Sequence, residues 1–136
     1  MRKEIIKTTG PVKKIMLITT IAILSIYCFS AAVLANNHED RGYSGYAGTT
    51  GFATQTRDKT DASSAYIHHY GPDTVNVEVR SNGINYSANG SSYYVTAGQE
   101  SYLPNYVYEN GRRTCYLYLR STIRKWITGV WSPDSI

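Results

Sequence analysis

The chain of 136 residues is poor in cysteine, with two, and contains none of the short motifs that carry common chemistries. Cys28 lies in an apolar leader that is expected to be removed, so Cys115 is left alone. That excludes an intramolecular disulfide in the processed chain and leaves a zinc site short of ligands. His68 and His69 are adjacent, so on a strand they point to opposite faces and cannot share one ion. The acids Asp58 and Asp61 lack the Asp-x-Asp-x-Asp-Gly spacing of a calcium loop. There is no Gly-x-Ser-x-Gly elbow, no phosphate-cradling glycine loop and no His-Glu-x-x-His helix. No metal or cofactor is therefore implied, and the expectation is a protein that is not an enzyme. An extracellular hydrolase would need a dispersed site containing His68 or His69.

The N-terminus supplies a positive signal. Arg2, Lys3, Lys7, Lys13 and Lys14 stand against the single acid Glu4, and from Ile15 to Ala35 no residue is charged. A basic flank, an apolar run and small residues at Ala31, Ala32 and Ala35 are the pattern of a secretory signal peptide cleaved after Ala35. The other reading of residues 15–35 is an uncleaved anchor, since such a run can just span a bilayer of ~30 Å. Contact with a membrane is expected only through this segment.

Removing residues 1–35 takes away five of the 14 basic residues and one of the ten acids, leaving nine of each. The formal excess of positive charge thus belongs to the leader, and a nucleic-acid partner, which needs a basic folded product, is not expected. The remaining charge is uneven. Arg112, Arg113, Arg120, Arg124 and Lys125 face only Asp134 in residues 111–136.

Residues 36–62 hold Gly42, Gly45, Gly48 and Gly51 among polar residues, with Tyr43, Tyr46 and Phe52 as the bulky anchors. Such a composition reads as a flexible arm carrying one edge strand near Tyr43 to Phe52. From Ser63 the period becomes two, the signal of half-buried strands, so residues 63–136 read as the β domain. Val75, Val77 and Val79 alternate with Asn76, Glu78 and Arg80. Asn82-Gly83 and Asn89-Gly90 each predict a hairpin turn, and together a meander. Pro104 to Gly111 reads as a short turn of helix between strands. Cys115, Leu117 and Leu119 share one face of the next strand, which makes Cys115 a buried, inert thiol, and Trp126 to Trp131 form the last one. The expected fold is all-β, a small antiparallel sandwich or barrel of about six or seven strands.

Aromatic and cationic residues concentrate in the second half, and Tyr116, Tyr118, Arg120, Arg124, Lys125 and Trp126 are the candidate binding residues. Tyrosine offers a large apolar face and a hydroxyl that stays satisfied at a wet surface. If Tyr116, Tyr118 and Arg120 lie on the solvent side of one strand, they form a flat patch for sugar rings or an anionic cell-wall polymer. The competing reading is that these tyrosines cover a sheet face or an edge.

The C-terminal Gly129-Val130-Trp131-Ser132-Pro133-Asp134-Ser135-Ile136, together with Asn105-Tyr106-Val107-Tyr108-Glu109-Asn110-Gly111, resembles a group of uncharacterised small exported proteins of Gram-positive bacteria. These share a Gly- and Tyr-rich start and a Trp-Ser-Pro-Asp-Ser tail. The resemblance implies secretion and a β domain, and supplies no catalytic residues. The leading expectation is an exported, non-enzymatic binding or cell-surface-associated module, partnered by a cell-wall polymer or a surface protein. A secreted bacteriocin-like antagonist is the alternative.

Overall fold

Every second side chain of five long strands is buried, and this alternation sets the architecture. The strands are β1 (Arg41–Ala47), β4 (Ala65–Gly71), β5 (Val75–Ser81), β9 (Thr114–Arg120) and β10 (Lys125–Ser132). The computed structural model describes residues 37–135. The leader and its expected cleavage point lie outside the described residues.

Sheet A has the order β1-β10-β4-β8, where β8 is Glu100–Leu103. Sheet B runs β2-β9-β5-β6, where β2 is Phe52–Ala53 and β6 is Ile84–Asn85. To sheet B are added β3 (Arg57–Asp58), paired with β9, and β7 (Tyr93–Val95), paired with β5. All pairings are antiparallel, so the all-β expectation holds. The strand number rises to ten because β2, β3, β6 and β7 are only two or three residues long, too short to leave a periodic signal.

The inner faces meet in one core. Sheet A contributes Tyr43, Ala47, Ala65, Ile67, Leu103, Ile127 and Trp131, and sheet B contributes Val75, Val77, Val79, Val95, Cys115, Leu117 and Leu119. Each fully buried aliphatic side chain stabilises by about 1.5–3 kcal/mol before the entropy of ordering is counted. Cys115 lies at 0% exposure, and burial pushes its thiol pKa up to about 12, so it is inert toward mild electrophiles.

Asn82 (φ 49°) and Gly83 (φ 79°) form the expected tight hairpin turn between β5 and β6. The second expected hairpin is replaced by a loop. β6 and β7 lie one after the other along the same edge of β5, and between them Ser87 Oγ accepts the Val79 N–H at 3.0 Å. The side chain thus stands in for a ladder bond, and no meander forms. The short turn expected between strands is present over residues 107–111, with Asn110 N donating to Tyr106 O at 3.1 Å and Gly111 N to Tyr108 O at 3.0 Å, and it does not extend into a helix.

Residues 36–62, expected as a flexible arm carrying one edge strand, hold that edge strand and two further short strands. β1 is a seven-residue edge strand paired along its length with β10, and β2 and β3 line the far side of β9. The glycines there allow close approach rather than motion. A Cβ on Gly45 would strike the Phe52 ring, and one on Gly51 would strike the Tyr118 ring.

A polar clasp ties this segment to the C-terminal tail. Lys59 and Asp134 form an ion pair at 2.8 Å with both side chains fully buried. Arg57 donates to the carbonyls of Trp131 (2.9 Å) and Glu39 (2.7 Å) and to Asn37 Oδ1 (3.0 Å). Burial pushes the Asp134 carboxyl pKa up, but hydrogen bonds from Lys59, Thr60 and Asn37 outweigh it and hold the group below its ordinary value. The tail is therefore docked.

Candidate functional site

The six candidate binding residues fall on two different sheets. Tyr116, Tyr118 and Arg120 lie on the outer face of sheet B, each half-buried. Their binding groups are already engaged within the chain. The Glu78 carboxylate, only 6% exposed, accepts from Arg80 Nε at 2.6 Å and Arg120 at 2.7 Å. Both guanidiniums flank the Tyr118 ring, at 3.9 and 5.9 Å from its centroid. The Tyr118 hydroxyl accepts from Gly51 N (3.0 Å) and the Tyr116 hydroxyl from Gly83 N (3.1 Å). Glu78, expected in water, is thus the buried centre of a closed charge and ring network.

Lys125 and Trp126 open β10, on sheet A, and Arg124 immediately precedes it. Lys125 pairs with Asp73. Trp126 lies opposite Tyr46 in the β1–β10 register, their rings edge-to-face with centroids 4.9 Å apart, and Arg124 stacks over Tyr46 at 4.6 Å. Tyr46 and Arg124 line a cleft of about 430 Å³ whose other walls include Thr49, Thr50 and Thr122.

Trp126 and Tyr46 are one end of a longer feature. Because Ala65, Ile67 and His69 of β4 point inward, Tyr66, His68 and Tyr70 project from the outer face of sheet A. Tyr66 is opposite Tyr102 of β8, with centroids 5.7 Å apart, and His68 packs edge-on against Tyr70 at 4.8 Å. A register shift between Thr128 and Gly129 leaves Tyr70 as the extra residue on β4. Tyr46, Tyr70, Tyr102 and Trp126 all remain at least half exposed, from 50% for Trp126 to 64% for Tyr102. From strand spacing and rise, Trp126 and Tyr102 stand about 20 Å apart along a diagonal. Beyond Tyr66 and Tyr102 a second cleft of about 260 Å³ is lined by Asp40, Glu100 and His38. Loss of solvation and the Glu100 hydrogen bond push the Tyr66 hydroxyl pKa up to about 12, so it stays a proton donor.

The family model for proteins of unknown function designated DUF2712 matches residues 30–135. The chain belongs to the DUF2712 family. No curated protein and no solved structure matches it, so the site in this DUF2712 chain rests on its own geometry.

The two histidines weighed for chemistry are separated by the sheet. His69 is at 0% exposure, its Nε2 donating to Asp73 O at 3.0 Å and its Nδ1 accepting from the Tyr43 hydroxyl at 2.8 Å. Burial lowers its pKa, so it is a neutral core group. His68 lies outside, 3.5 Å from Glu100. Among the described residues no three His, Cys, Asp or Glu side chains gather closely enough to hold a metal ion.

Sequence reasoning missed Tyr46, Tyr66, His68, Tyr70 and Tyr102 as members of one surface. The signal was present in Tyr66-x-His68-x-Tyr70, where the period that buries Ala65, Ile67 and His69 must expose three rings.

Proposed function

We propose that this DUF2712 domain is an exported, non-enzymatic binding module that holds a polysaccharide chain, such as a cell-wall polymer, across the outer face of sheet A. The observation that carries the reading is the row of half-exposed rings on the outer face of one sheet, ending in the Arg124 cleft. Apolar ring faces at this exposure lose free energy in water, and a sugar ring covers them with its C–H face while its hydroxyls reach tyrosine and threonine oxygens. The Arg124 guanidinium beside the threonine-lined cleft suits an anionic substituent on such a polymer. Export through residues 1–35, with cleavage after Ala35, supports a target outside the cell.

The two tryptophans permit a direct test, because Trp126 is half exposed and Trp131 is 1% exposed. Acrylamide quenching of the emission is expected to come almost wholly from Trp126. Soluble wall polysaccharide should protect that emission, and Trp126→Phe should remove the protectable fraction. Unchanged quenching at saturating polysaccharide would refute the assignment of this face.

A further inference from the structure

Lys59 and Asp134 meet where the segment after β3 joins the C-terminal tail, and Asp134 borders the cleft next to Tyr66 and Tyr102. Both side chains are 0% exposed, with Nζ 2.8 Å from Oδ1. The other partners of Nζ are the carbonyl oxygens of Pro133, at 2.9 Å, and Ser63.

Two features exceed what an ion pair needs. The carboxylate oxygens have different surroundings: Oδ1 faces the amine, whereas Oδ2 is cradled by Asn37 N (2.9 Å), Thr60 N (3.0 Å) and Thr60 Oγ1 (2.7 Å). Three donors converging on one oxygen form the geometry that stabilises an oxyanion. A second acid, Asp61, stands 4.0 Å from Nζ and is 38% exposed, so it reaches both the amine and solvent. Its carboxylate is oriented by the N–H of Ser63 at 2.8 Å and by the Ser63 hydroxyl.

We infer that Lys59 and Asp134 condense to an intramolecular amide that locks the tail to the segment following β3. A proton passes from Nζ to Oδ1 along the 2.8 Å hydrogen bond, turning the ion pair into a neutral amine and a carboxylic acid. The amine lone pair attacks Cγ, forming the C–N bond, and the negative charge collects on Oδ2 within its three donors. Asp61 takes a second proton from the nitrogen and returns it to the departing oxygen. The Cγ–Oδ1 bond breaks, and that oxygen leaves as water with both protons. Ammonium and carboxylate thus become one amide and one water, with no oxidant, reductant or cofactor.

Burial helps twice. It favours the neutral pair over separated charges, and it keeps water from hydrolysing the product. The hydrogen bonds that hold Asp134 ionised make the ion pair the starting state, so the bond forms after folding has brought the groups together.

The full chain is expressed, purified and measured by intact mass, then digested with trypsin. The expected result is a mass lower by one water than the sequence of the recovered species, and a branched fragment joining residues 58–80 to 126–136. An intact mass equal to the unmodified sequence, with 126–136 recovered as a free peptide after prolonged incubation, would overturn the inference. Asp134→Ala is expected to abolish the loss of water, and the same loss in that variant would equally overturn it. Asp61→Asn keeps both reacting groups and is expected to slow bond formation about a hundredfold. Formation at the wild-type rate would remove Asp61 from the mechanism.

Discussion

The outer faces of the two sheets are made of the same residue types and behave differently. On sheet B, Tyr116, Tyr118, Arg80 and Arg120 gather around one carboxylate, Glu78, and every group finds a partner in the chain. On sheet A, Glu100 holds Tyr66 and His68 at one end of the face, and the rings of Tyr46, Trp126, Tyr70 and Tyr102 stay at least half exposed. The difference is that a tyrosine- and arginine-rich face keeps its rings exposed where its cations are not drawn to one buried carboxylate. A single acid at the middle of a face decides between a sealed surface and an available one.

The largest expected effect breaks the sealed face. Glu78→Ala leaves Arg80 and Arg120 without their shared acceptor in a half-buried site, and the predicted loss is about 2–3 kcal/mol of stability in urea unfolding, with polysaccharide binding intact. Next comes the open face. Trp126→Ala removes a half-exposed ring that packs edge-on against the exposed Tyr46, so binding should weaken about tenfold or more, while unfolding free energy moves by less than about 1 kcal/mol.

Acid probes the interior that both faces share. The pKa of His69 is depressed below its ordinary value of 6.5 in the folded state, so the unfolded chain binds the extra proton first. Stability is therefore full above that value and falls as the pH drops below it. In chains where Lys59 and Asp134 are not joined, Asp134, also depressed, adds a second loss below its ordinary value of 3.8, and in the amide-linked chain that loss is absent. Thermal melts from pH 8 to pH 3 should show both declines in the unjoined chain, and His69→Gln should flatten the first. The smallest effect is that of Tyr118→Phe, which deletes the acceptor of Gly51 N and costs about 1 kcal/mol, with binding unaltered.

Much of the fold was legible before the structure. Val75, Val77 and Val79 and the set Cys115, Leu117 and Leu119 announced two strands, β5 and β9, which pair in one sheet, and Asn82-Gly83 announced the β5–β6 hairpin. The failures share a cause. Gly45 and Gly51 read as flexibility because the rings they make room for, Phe52 and Tyr118, are contacts of tertiary structure that no local pattern encodes. The Asn89-Gly90 hairpin failed because Ser87 supplies a hydrogen bond to β5 from outside the ladder. Of the candidate residues, Arg124 lines the cleft and Trp126 packs against Tyr46 at its wall. The assignment of Tyr116, Tyr118 and Arg120 to an open patch depended on Glu78, 38 or more residues earlier in the chain, whose partners only strand pairing reveals.

The central claim is that ligand binding belongs to sheet A and not to sheet B. It is tested most directly by co-sedimentation of two double variants with purified cell walls, Tyr46→Ala with Trp126→Ala and Tyr116→Ala with Arg120→Ala. The account predicts that the first is released into the supernatant and the second is retained like the unaltered protein. Retention of the first, with release of the second while it remains folded, would contradict it.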